Sequence, residues 1–122
     1  MNKITMSTEK FHTICKQFNN NYVHVEITSV GNQIDFIGKG DGGKMSKTYT
    51  DTKSKNSKNE KGTMVQGSYE LKNLMNFSKC NKLSEIINIY MTDDYPLVLA
   101  IPVSNLGVMH IFITPINPDV TS

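Results

Sequence analysis

The sequence predicts an α+β domain made of two copies of one unit, a strand, a helix and three strands, with the two helices packed on a curved antiparallel sheet. Three observations carry this. Two stretches place apolar residues at helical spacing, each is followed by three stretches of alternating apolar residues, and turn-forming residues separate them. Neither copy carries a catalytic cluster, so the pattern points to a scaffold that works through shape and surface.

The first copy spans residues 4–50. Ile4 and Met6 open it as a short strand, and Ser7 or Thr8 can cap the helix that follows. On that helix Phe11, Ile14, Cys15 and Phe18 fall at the i, i+3, i+4, i+7 spacing of a buried stripe, and the run Asn19-Asn20-Asn21 stops it. Val23, Val25, Ile27 and Val30 alternate approximately, Gly31-Asn32 turns the chain, and Ile34, Phe36 and Gly38 alternate again, which predicts a hairpin. The stretch from Met45 to Thr50 is strand-like but polar on both faces, as an edge strand is.

Residues 51–62, DTKSKNSKNEKG, contain no apolar side chain and read as a flexible, solvated loop between the copies. The second copy spans 63–115. Met64 to Ser68 forms a strand, Leu71, Leu74, Met75 and Ser78 mark the buried face of the second helix, and three strands follow on Ile87 and Ile89, Leu97 and Leu99, and Met109, Ile111 and Ile113. Asp93-Asp94 and Asn105-Leu106-Gly107 supply the turns.

At 122 residues the chain has the length of one domain, residues 1–122. No apolar run is long enough to cross a membrane and no leader stands at Met1, so the expected place is the cell interior with no membrane partner. Cys15 and Cys80 both lie in helical patterns, which suits buried reduced thiols. The net charge is only +2, and all 13 basic residues besides the histidines are Lys. Without Arg, sequence readout through a guanidinium on guanine is excluded, and Lys offers a phosphate backbone only point charges.

Several motifs fail on inspection. Gly38-Lys39-Gly40-Asp41-Gly42-Gly43 fits the spacing of a dinucleotide loop, but phosphate binding needs a helix to begin there and residues 45–50 have no helical stripe, so a glycine-rich turn between strands is expected. His12, His24 and His110 are too dispersed for a metal site, and His24 is expected to face solvent from a strand. Asp93-Asp94 sits where a turn uses Asp for backbone bonding. No enzyme activity, cofactor or metal is expected.

What remains is the outward face of the two helices. Lys16 is flanked by His12, Thr13 and Asn20 on the first, and Lys72, Asn76 and Lys79 lie at i, i+4, i+7 on the second, with Lys82 just beyond. A surface of Lys and Asn with no acid among those positions can touch a phosphate backbone without sequence preference.

Four motifs in order, I-T-M-S-x-x-x-F-x-x-I-C-K at Ile4 to Lys16, S-Y-x-L-K-x-L-x-x-F-S-K at Ser68 to Lys79, D-x-P-L-V at Asp94 to Val98 and L-G-x-x-x-x-x-I-T-P at Leu106 to Pro115, resemble the C-terminal domain of proliferating cell nuclear antigen, the eukaryotic and viral DNA sliding clamp. The resemblance implies the DNA clamp fold, a non-enzymatic polymerase processivity factor, and a homotrimeric ring of clamp domains around duplex DNA. It implies a DNA-facing set of Lys16, Asn20, Lys72, Asn76, Lys79 and Lys82. It further implies a groove at Pro96, Phe112, Thr114 and Pro115 for DNA polymerase and other proteins carrying PCNA-interacting motifs, and a subunit-interface edge at Lys44, Met45, Ser46, Lys47, Thr48, Tyr49 and Thr50. The strand from Gly107 to Thr114 would continue into a preceding clamp domain, a clamp loader would be a further partner, and the site of action would be the nucleus or a viral replication compartment. A chain of this extent is then a fragment of a two-domain clamp or a one-domain relative. The alternative kept open is a viral or regulatory clamp-fold protein that binds proteins and does not encircle DNA.

Overall fold

The computed structural model describes residues 2–19, 21–40, 43–51, 64–79, 83–92 and 96–116. The elements follow the expected order twice over: β1 (Asn2–Ser7), α1 (Thr8–Asn19), β2 (His24–Val30), β3 (Gln33–Gly40) and β4 (Gly43–Thr50), then β5 (Met64–Glu70), α2 (Leu71–Ser78), β6 (Ile86–Met91), β7 (Leu97–Pro102) and β8 (Val108–Ile113). Cys80, Asp93-Asp94, Asp41-Gly42 and nearly all of the polar loop expected at 51–62 lie outside the described residues.

The strands form two antiparallel four-stranded sheets, sheet I in the order β1-β6-β7-β8 and sheet II in the order β4-β3-β2-β5. The two copies thereby exchange their first strands. β1 of the first copy pairs with β6 of the second, Ile4 opposite Ile89, and β5 of the second pairs with β2 of the first, Ile27 opposite Gly67. One cluster of buried side chains from both sheets and both helices forms the core, in which the Phe11 and Phe36 rings meet at 6.4 Å.

The same symmetry governs where the helices begin. The Thr8 amide donates to the Glu85 carbonyl at 3.1 Å, just ahead of β6, and the Leu71 amide donates to the Val23 carbonyl at 2.9 Å, just ahead of β2. Ser7 is the cap of α1, its Oγ accepting from the Lys10 amide at 3.0 Å, whereas Glu70 precedes α2 with no side-chain cap. The buried stripe of α1 is the expected one, Phe11, Ile14, Cys15 and Phe18. On α2, Leu71, Leu74 and Ser78 are buried and Met75 is half-buried.

The segment that ends each copy crosses to the other sheet. Asp51, buried after β4, presents Oδ2 to the Thr5 amide of edge strand β1 at 3.0 Å, while its own amide donates to the Asn32 carbonyl at 2.7 Å. After β8 the Ile116 amide donates to the Ser68 carbonyl of edge strand β5 at 2.7 Å. Both edges left by the exchange are thus tied to the opposite sheet, which answers the hydrogen-bonding need of edge strands.

The glycine-rich motif joins two strands as expected, Gly40 of β3 pairing with Gly43 of β4, but two of its glycines have a further reason. Gly38 and Gly40 are strand residues of β3. A methyl group on Gly38 would come within 2.9 Å of both Phe18 Cδ1 and Tyr22 Cγ, so glycine is there to let two aromatic rings at the end of α1 lie on the strand. Gly31 does serve a turn, at φ 59°, joining Val30 to Gln33.

Candidate functional site

The two helices pack side by side, so residues far apart in sequence share one surface. From α1 that surface carries exposed Thr13 and Lys16 and half-buried His12, and from α2 it carries exposed Lys72 and Asn76. Lys79 is the exposed residue that ends α2. Asn20 and Lys82 lie outside the described residues. The one acidic residue within either helix is Glu9, in the first turn of α1, where it complements the helix dipole. The chemistry available is that of ammonium groups and amides on exposed positions: contact with anions and no guanidinium fork.

A second feature lies at the far end of β8. Phe112, Thr114 and Pro115 line a shallow depression of about 400 Å³ together with Ile113, Ile116 and, from α2 and its approach, Phe77, Asn73 and Glu70. Pro96 is half-buried ahead of β7, whose Leu97 pairs with Ile113, but it does not line this depression. Phe77 was missed by the sequence reading, although a signal existed: it is an apolar residue out of phase with the buried stripe Leu71, Leu74, Ser78, and it stands 38% exposed.

Two of the four edge strands, β4 and β8, lie at the edges opposite β5 and β1. β4 ends sheet II with Lys44, Ser46, Lys47, Thr48 and Thr50 exposed, while Met45 and Tyr49 are half-buried against the core. Burial pushes the Tyr49 hydroxyl above its ordinary range, with the Asp51 carboxylate adding to the effect. β8 ends sheet I and exposes Val108, Met109 and Phe112. Among the described residues no three His, Cys, Asp or Glu side chains gather as metal ligands, and His24 is exposed. No helix among them is long and apolar enough to cross a membrane.

Comparison with known proteins places this geometry. Residues 2–116 match the family described as proliferating cell nuclear antigen, C-terminal domain. A probable DNA polymerase sliding clamp of Acanthamoeba polyphaga mimivirus is 51% identical over 116 residues, which are 95% of this chain and 25% of the relative. Proliferating cell nuclear antigen of Caenorhabditis elegans is 25% identical over 90% of this chain and 44% of its own, and a probable sliding clamp of Paramecium bursaria Chlorella virus 1 is 26% identical over 93% and 45%. The chain therefore spans between a quarter and a half of these relatives. With the match running through every described element, the chain belongs to the proliferating cell nuclear antigen family, in its C-terminal domain.

Proposed function

We propose that this chain is a domain of a DNA sliding clamp, a non-enzymatic factor that holds a polymerase on duplex DNA by topology. The observation that carries the proposal is the packing of the two helices together with the exposure of Lys16, Lys72, Asn76 and Lys79 on them. Such a surface suits transient phosphate contact, which a ring needs in order to slide: Lys offers a point charge to any phosphate, and each contact exchanges for the next. Family membership and relatives named as sliding clamps support the same reading.

In this reading β4 and β8 are the edges along which further clamp domains pair, closing a homotrimeric ring that a clamp loader opens. The depression at Phe112, Thr114 and Pro115, with Pro96 just ahead of the neighbouring strand, receives the short motifs of polymerases and other partners. The viral relatives favour a viral replication compartment as the place of action, with the nucleus as the other candidate.

The test is a closed ring containing this domain, wild type against Lys16, Lys72 and Lys79 replaced together by Ala. All three side chains are exposed, so the fold is expected to persist. Polymerase processivity falls, and the salt slope of DNA retention shrinks by about one unit per lost contact. Unchanged processivity and slope refute the DNA-facing assignment.

A further inference from the structure

The two sheets present unlike outer faces. In sheet I the register sets Lys3 opposite Tyr90, Tyr90 opposite Val98, and Val98 opposite Phe112, one rung across all four strands. All four point away from the core, because their neighbours Ile4, Ile89, Leu97 and Ile113 are the buried ones. The following rung carries Asn88, Ala100 and His110, and beyond it Pro102 pairs with Val108. The β7–β8 half of this face is therefore almost wholly apolar, with Phe112 67% and Val108 54% exposed. The outer face of sheet II instead mixes charges of both signs, Glu26, Asp35, Lys39 and Glu70.

Charge completes the contrast. Among the described outward positions of sheet I there is no acidic residue, and at the β1 margin the Lys3 ammonium stands 5.8 Å above the Tyr90 ring. A contiguous apolar face rimmed by polar groups marks an interaction site, and the sign at its rim selects the partner. We infer that this face docks a protein segment that lays apolar side chains on Val98 and Phe112 and offers a carboxylate to Lys3. Phe112 also lines the depression at the end of β8, so the segment is the continuation of a partner motif seated there. That last link rests on the clamp reading. The continuation runs across the strands of sheet I toward β1, and it distinguishes partners by the acidic residue that follows the motif.

The experiment is amide-shift NMR on the labelled chain with two synthetic peptides, an aromatic-anchored polymerase-type motif and the same motif extended by alternating leucine and glutamate. The extended peptide is expected to bind about tenfold tighter, as one packed apolar contact with one charge pair at an interface provides, and to move the amides of Val98 and Ala100 as well as that of Phe112. Lys3→Glu and Val98→Glu each remove that gain and leave the affinity of the short motif unchanged; Lys3 is exposed, so its variant keeps the fold even where Val98→Glu does not. Equal affinities for the two peptides overturn the inference and leave the clamp reading standing, whereas an inert lysine triple in the ring refutes the clamp surface and leaves this result untouched. Failure of both peptides to bind overturns it as well. So does concentration-dependent self-association through Val98, which makes the occupant a second copy of this chain.

Discussion

Single residues carry unusual weight where the core leaves no slack. Phe18 and Tyr22 meet at 5.8 Å with their planes tilted by 57°, and both rings press on the backbone of Gly38. Gly38→Ala forces the rings or the strand aside and is expected to cost about 1–3 kcal/mol, the usual penalty of overpacking. Urea unfolding measures it, and a variant as stable as the parent refutes the packing role. Gly40, whose added methyl would stand 3.4 Å from the Tyr22 ring, tolerates Ala far better and serves as the control. The sequence displayed these glycines plainly but gave no hint of their purpose, because what requires them is a pair of rings two elements away. A buried tyrosine makes a similar point: Tyr69 is 2% exposed, and loss of hydration raises its hydroxyl above the ordinary value.

At the scale of elements, periodicity did most of the work. The stripe Phe11, Ile14, Cys15, Phe18 and the alternation Ile87, Ile89 or Leu97, Leu99 are local patterns, and the helices and strands they announce are present. Which strand joins which sheet was not legible, since β1 and β6 are far apart in sequence and nothing in either names the other. The staple made by Asp51 was hidden for the same reason: a polar residue at the start of a polar run reads as loop, yet it is buried with its carboxylate on the Thr5 amide. Asp51→Ala removes the acceptor from a partly buried donor and should cost about 1–3 kcal/mol. Hydrogen exchange at Thr5 is the sharper readout; protection equal to that of the parent refutes the staple. Of the candidate site, the lysines of both helices were visible as outward positions, whereas Phe77 and Asn73 joined the depression only through the fold.

For the whole molecule, the exchange of first strands means that neither copy owns a complete sheet. Each sheet takes three strands from one copy and one from the other. The segments 2–51 and 64–116, made as separate chains, are therefore expected to remain unfolded alone and to recover native circular dichroism when mixed, in a single cooperative transition. A half that folds by itself refutes the interlock. The exchange also explains why one hydrophobic cluster serves both copies, and why the two outer faces can differ so sharply, apolar on sheet I and charged on sheet II, while the inner faces stay bound to one shared core.

The same crossing sets an order in time. Three strands of sheet II, β2, β3 and β4, are neighbours in sequence, and Val30 meets Gln33 across two residues, so this sheet can begin as soon as its hairpin is made. Sheet I cannot close early, because Asn2 waits for Met91. Of the strands of this domain β1 is made first, yet it has no partner until β6 is made and docks there only afterwards. Until then one side of β6 stays unpaired beside the apolar β7, and this sheet, rather than the faster one, is where a nascent chain is most open to capture by another strand.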